Sequence, residues 1–225
     1  MRRRIILALP LQALLALAAA PARAAAPPLL RGEEAEPRMR ALQRGGFTLL
    51  LRHGDTRGMG CDRTTDWRDE AGQRHLSPAG EAQARAIGEV LRAWRIPIAA
   101  PVLASPVPRV RDTAVAAFGA GAVVLDQRLL SDEFTADVAA TAAAQRALLA
   151  EDPPPGLNRM LVGHIASALQ VGGRRITQAE FPEGAILVLR GGAMQAVLDL
   201  APLPGGGAHG CGWNGPPGTE PPSPR

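Results

Sequence analysis

Short apolar runs of strand length, each separated from the next by a stretch with helical spacing, constrain this chain more than any other feature. The runs lie near residues 47–52, 101–104, 122–126, 159–163, 185–189 and 194–200, with helical patterns over 33–43, from 78 onward, 109–118 and 135–150. Alternation of this kind marks a parallel sheet, because a strand that repeats its direction needs a crossover, and helices serve as crossovers. The expected fold is therefore α/β: a three-layer α/β/α sandwich around a mostly parallel mixed sheet. The link Arg190-Gly191-Gly192-Ala193 is too short for a crossover and reads as a hairpin, which predicts at least one antiparallel edge strand. The helix after Leu76 is the clearest one. Ser77 can cap its free N–H groups, Pro78 fits its first position, and Ile87, Val90, Leu91 and Trp94 share a face.

Two of the runs end on histidine. Arg52-His53-Gly54 closes the first, and Leu161-Val162-Gly163-His164 closes the fourth, so two imidazoles project from carboxyl ends of strands, where open α/β sheets bind ligands. A neutral imidazole is a nucleophile when a hydrogen bond fixes its other nitrogen. Arg52, Arg109 and His164 would surround His53 with cationic or donor groups, and the planar fork of arginine matches a phosphoryl group. Arg109 stands at a helix start, where a cation is disfavoured, so an anionic partner accounts for it better than a structural role. The polar segment 54–74 is a long loop beside His53, and loops of that length inside a domain are often functional. Within it Arg57 reads either as a pocket residue or as a solvated one, while Asp55 and Thr56 read as residues that order the loop. Glu183 is a candidate for the edge of the site; His75 and His209 read as surface residues.

In these residues the chain resembles the histidine phosphatase superfamily, the phosphoglycerate-mutase-like proteins. The resemblance is carried by Leu51-Arg52-His53-Gly54-Asp55-Thr56, by Leu76-Ser77-Pro78-Ala79-Gly80 with Gln83-Ala84, by Ala104-Ser105-Pro106 with Arg109 and Asp112-Thr113-Ala114, and by Val162-Gly163-His164. It implies that His53 is transiently phosphorylated, that Arg52, Arg109 and His164 hold the phosphoryl oxygens, and that no metal or other cofactor is required. Arg57 is carried as a further substrate-binding candidate. Two departures stand out. Gly163-His164-Ile165-Ala166 replaces the Gly-His-Asn-Pro or Gly-His-Gly-Gly of many members. After Arg128-Leu129-Leu130 the chain has Ser131 where mutase-like members have a glutamate acid, and the general acid is left open between Asp132 and Glu133.

Composition narrows the function. No lysine and no tyrosine occur, which removes Schiff-base chemistry and lysine-dependent P-loop binding. Residues 1–24, with Arg2 to Arg4 ahead of a broken apolar stretch and Ala22-Arg23-Ala24 at its end, read as a cleaved signal peptide rather than a membrane anchor. Export to the periplasm or beyond is the corresponding expectation. Those residues hold four arginines and no acid, so the 25 basic and 21 acidic residues of the whole chain become 21 of each sign after cleavage. No nucleic-acid or membrane-surface partner follows from such a balance. The expected partners are a small phosphorylated substrate and inorganic phosphate as product. Residues 25–204 form the catalytic domain, and the Gly/Pro-rich stretch 205–225 reads as a disordered tail. Cys61 and Cys211 either pair or remain thiols. Two other classes stay in view: a catalytically inactive member that binds a phosphorylated ligand or protein, and a metal site drawn from His53, His75, Cys61 and His209, whose spacing fits no zinc pattern. Gly-x-Ser-x-Gly is absent, which argues against a serine hydrolase.

Overall fold

The computed structural model describes residues 25–203. The signal-peptide reading of 1–24, the tail from 205 onward, His209 and the Cys211 half of the disulfide question lie outside the described residues. The chain runs β1 (Leu29–Leu30), α1 (Glu36–Leu42), β2 (Thr48–Arg52), α2 (Pro78–Ala93), β3 (Ile98–Ala104), α3 (Pro108–Phe118), β4 (Val123–Leu125), α4 (Val138–Ala150), β5 (Asn158–Gly163), β6 (Gln170–Val171), β7 (Arg174–Arg175), β8 (Ile186–Arg190) and β9 (Ala193–Leu198). Seven strands form one sheet in the order β1-β9-β8-β2-β5-β3-β4, and β6 pairs with β7 in a small separate hairpin.

Strand alternation sorts side chains onto two faces. Leu49, Leu51, Met160, Val162, Ile186 and Val188 pack with Met39 and Leu42 of α1, Ile87 and Leu91 of α2, and Val110 and Ala114 of α3. Leu50, Leu161, Leu187 and Leu189 face the opposite way, against Ala142, Leu148 and Leu149 of α4 and Phe181. The layers are thus α/β/α, and the central strands are apolar on both sides because both sides are covered.

The antiparallel strand is not at an edge, contrary to expectation. β8 runs against both β2 and β9, while the edge strands β1 and β4 are parallel to their neighbours. The hairpin at Gly191-Gly192 was legible, but β1 is a pair of leucines too short to read, and it moves the edge outward by adding beyond β9. Three starts also differ by three residues. The expected helix 33–43 divides into a 3₁₀ turn, Gly32–Ala35, and α1, which begins where Pro37 can occupy the first turn. α4 starts later than expected because the Asp137 side chain caps it, accepting from the Ala140 N–H at 2.9 Å. β3 starts earlier, since Pro101 falls where the register with β5 shifts between Ala99 and Leu103 and so costs no ladder bond.

Candidate active site

β2 and β5 are parallel neighbours with Arg52 opposite Gly163, so the residues that follow each strand emerge side by side. The His53 and His164 rings lie edge to face with centroids 5.4 Å apart. His53 Nδ1 is 2.9 Å from the Gly54 carbonyl. If that nitrogen carries the proton, the lone pair is on Nε2, the tautomer a nucleophile needs.

The loop after His53 is pinned from several elements. The Gly54 N–H donates to Thr113 Oγ1 on α3 at 2.9 Å, and the Asp55 N–H donates to Gln83 Oε1 on α2 at 3.0 Å. Ser77 caps α2 by accepting from the Gly80 N–H, and its hydroxyl donates to Asp55 Oδ2 at 2.6 Å. Gly80 is required at that approach: a Cβ there would lie 2.0 Å from the Asp55 carbonyl oxygen. Burial pushes the Asp55 carboxyl up, but the hydrogen bonds from Ser77 and Arg57 outweigh it and hold the group below the usual carboxylate range. Asp55 and Thr56 thus order the loop. Arg57 pairs with Asp55 through Nε at 2.5 Å.

Arg52 and Arg109 are both buried, at 5% and 1% exposure. Each is tethered by Nη1, Arg52 to the Phe181 carbonyl at 2.8 Å and Arg109 to Asp62 Oδ1 at 3.0 Å. Arg109 also lies 5.4 Å over the Phe134 ring, and that ring is 6.1 Å from His164. Arg74, from the end of the long loop, is buried beside them and adds a third positive field on both histidines. Arg52 Nε, Arg74 Nε, Arg109 Nε and His164 Nε2 are buried without a hydrogen-bond partner. Orphaned donors are expensive, and several in one place point to an anion that satisfies them.

Burial pulls Arg52 down to about 10 while Glu183 opposes the fall, so the guanidinium is charged at neutral pH. Burial, and after it Arg109 and Arg52, push both histidines well below their ordinary value, leaving neutral imidazoles among cations. This is the protonation state that suits attack on a phosphoryl group.

The two acid candidates separate. Asp132 accepts from the Ser167 N–H at 3.1 Å and its hydroxyl at 2.7 Å, and pairs with Arg175, so its carboxylate supports a loop. Glu133 is 41% exposed with Oε1 3.8 Å from Arg109 Nη2, at the rim of the site. Glu183, read from sequence only as an edge residue, accepts from the Thr56 N–H at 3.0 Å and lies 3.5 Å from Arg52 Nη2. His75 stands apart, its Nε2 3.1 Å from the Glu70 carbonyl. Arg74 and Asp62 were missed. Both lie in the loop 54–74, whose aperiodic composition gives no placement; the only available signal was that Arg74 shortly precedes the Leu76-Ser77-Pro78 helix start.

A model of the histidine phosphatase superfamily, branch 1, matches residues 48–146. No curated protein matches the chain. Among solved structures the chain is similar to the SixA protein of Agrobacterium tumefaciens, at 22% identity over 68% of this chain and 98% of that one, with a TM-score of 0.45. It is also similar to the protein histidine phosphatase SixA complexed with tungstate, at 20% identity over 67% and 95% of the two chains and a TM-score of 0.44. A mycobacterial glucosyl-3-phosphoglycerate phosphatase in complex with VO3 is similar at 23% identity over 64% and 92%, with a TM-score of 0.43.

Proposed function

We propose, because this chain belongs to the histidine phosphatase superfamily and is a histidine-type phosphatase, that it hydrolyses a phosphomonoester or a phosphohistidine through a phosphohistidine formed on His53. The observation that carries the reading is the set of buried, unpartnered donors of Arg52, Arg74, Arg109 and His164 gathered around a neutral imidazole.

In the first step the Nε2 lone pair of His53 attacks phosphorus, the bond to the leaving oxygen or nitrogen breaks, and the leaving group departs with that electron pair and takes up a proton. Nδ1 keeps its proton on the Gly54 carbonyl, so the phosphorylated ring is cationic. Water then attacks phosphorus and gives up a proton to the carboxylate that protonated the leaving group, the N–P bond breaks with its electrons returning to Nε2, and phosphate leaves. Arg52, Arg74, Arg109 and His164 stabilise the equatorial oxygens, where one positioned donor is worth on the order of 10²–10³ in rate. Glu133 is the better placed proton donor of the two carboxyls, because Asp132 is engaged by Ser167 and Arg175. Arg57 serves the site through Asp55. Export on the signal peptide, to the periplasm or beyond, is part of the proposal and is supported by the sequence of residues 1–24.

The test is hydrolysis of an aryl phosphate by the mature protein with chelator present, alongside His53→Ala. Chelator-resistant turnover that disappears in the variant is expected. Activity retained by His53→Ala would overturn the mechanism, and phosphate binding without any wild-type turnover, on aryl phosphate or phosphohistidine, would favour the inactive ligand-binding member.

A further inference from the structure

Glu183 lies in the short segment between Phe181 and β8 and has no part in the steps above. Its side chain is 9% exposed. Both carboxylate oxygens face the residues around His53: Oε2 accepts from the Thr56 N–H at 3.0 Å and Oε1 from the Thr56 hydroxyl at 3.3 Å. Oε1 is also 3.5 Å from Arg52 Nη2 and 4.0 Å from His53 Nδ1. The backbone adds to this link, since the Gly184 N–H donates to the His53 carbonyl at 2.9 Å.

The carboxylate therefore sits on the Nδ1 side of the ring, away from the nitrogen that meets phosphorus. Nδ1 itself is occupied by the Gly54 carbonyl, so Glu183 acts through space and through the segment it holds. The other charged groups near the ring are Arg52, Arg74, Arg109 and the second imidazole, His164, all of which disfavour a positive ring. Asp62 and Glu133 lie against Arg109, and Asp55 is taken by Ser77 and Arg57. Among the described residues, Glu183 is the carboxylate that meets the ring at ion-pair distance.

We infer that Glu183 is a positioning residue for His53: it clamps the segment from Arg52 to Thr56 and supplies the negative charge that the imidazole faces when phosphorylation makes it cationic. The inference rests on the phosphohistidine reading. It gives the carboxylate a role in rate, since a charge that stabilises the phosphorylated ring more than the neutral one lowers the barrier to forming it.

The test compares wild type, Glu183→Gln, Glu183→Asp and Thr56→Val by the pH dependence of kcat/KM on an aryl phosphate and by NMR titration of the His53 ring in the phosphate-free protein. An opposite charge at this distance moves a titration by about 1 unit or more. Glu183→Gln should lower the His53 midpoint and the acid limb of kcat/KM by about 1 pH unit and reduce the plateau about tenfold, equivalent to about 1.4 kcal/mol. Glu183→Asp should recover part of both. Thr56→Val loosens the clamp but leaves the charge, so its titration should match wild type. An unmoved His53 midpoint in Glu183→Gln, or an equal shift in Thr56→Val, would overturn the inference. A wild type without turnover would refute the phosphatase reading, and the NMR titration, which needs no turnover, would still decide the role of Glu183; if Glu183→Gln does not fold, Glu183→Ala supplies the charge-free comparison.

Discussion

Asp62→Asn tests whether the long loop holds a phosphate-binding arginine in reserve. Asp62 Oδ1 accepts from Arg109 Nη1 at 3.0 Å and from the Arg74 N–H at 2.7 Å. The Arg109 side chain is 1% exposed and that of Asp62 is 22% exposed. Removing one member of a buried pair outright costs about 3–5 kcal/mol, because the other charge is left uncompensated. Asparagine keeps an oxygen for both donors and loses only the charge, so the loss should be about 1–2 kcal/mol. For a domain of this size that is a fall in Tm of about 2–8 °C. Phosphate reverses the balance. It can take the Arg109 guanidinium without displacing a carboxylate in the variant, whereas in the wild type it must compete with Asp62. Phosphate at about 100 times its Kd stabilises a protein by about 2.7 kcal/mol, and at one fixed phosphate concentration the Tm rise should be larger in Asp62→Asn than in wild type. Thermal unfolding by circular dichroism, with and without phosphate, measures both effects. An unchanged Tm without phosphate, or a smaller phosphate-induced rise in the variant, would refute the reasoning.

Three further outcomes are expected. Arg74→Ala should raise KM and lower kcat/KM by on the order of 10², measurable by steady-state kinetics and by phosphate titration; wild-type values would remove Arg74 from the site. Gly88→Ala should destabilise although alanine favours a helix by about 1 kcal/mol, because its Cβ would lie 2.1 Å from the Ala117 carbonyl oxygen and α2 and α3 would have to separate; overpacking costs about 1–3 kcal/mol, and a raised Tm would contradict that contact. Stability should fall on acidification below about pH 6.5, the ordinary histidine value. The folded-state values of His53 and His164 are depressed, so the unfolded chain binds more protons between them and 6.5, and the loss is about 1.4 kcal/mol per pH unit for each histidine. Urea titrations at pH 7 and pH 5.5 check the sign, and in His53→Ala,His164→Ala most of the fall over that interval should disappear, because the depressed carboxylates lose stability in the same direction but at lower pH; an undiminished fall in the double variant would refute the assignment.

Much of the fold was legible because periodicity reports burial. Leu49 to Leu51 read as a doubly covered strand, and Ser77-Pro78 marked the start of α2 to the residue. The position of β8 between β2 and β9 was not legible, since a short link says that two strands pair but not which outer strand will join them. In the site, Arg52, His53, Arg109 and His164 could be found because strand ends and a helix start fix where side chains point. Arg74 and Asp62 could not, since a loop without period leaves direction undetermined until Asp62 meets Arg109. Between Asp132 and Glu133, adjacent in sequence and alike in chemistry, only the partners Ser167 and Arg175 separate the two roles.

The placement of β8 also sets when the site can exist during folding. The Arg52 N–H donates to the Ala185 carbonyl, the His53 N–H to the Gly163 carbonyl, and Arg52 Nη1 to a carbonyl 129 residues further along the chain. A nascent chain that has completed α4 has its nucleophile but neither of the strands that hold β2 from its two sides. Closing loops of that span is slow, and it is the step that topology penalises most. Phosphate affinity recovered on dilution from denaturant should therefore lag behind helix formation and report the completed central sheet, which makes ligand binding a kinetic probe of the last long-range pairing in this protein.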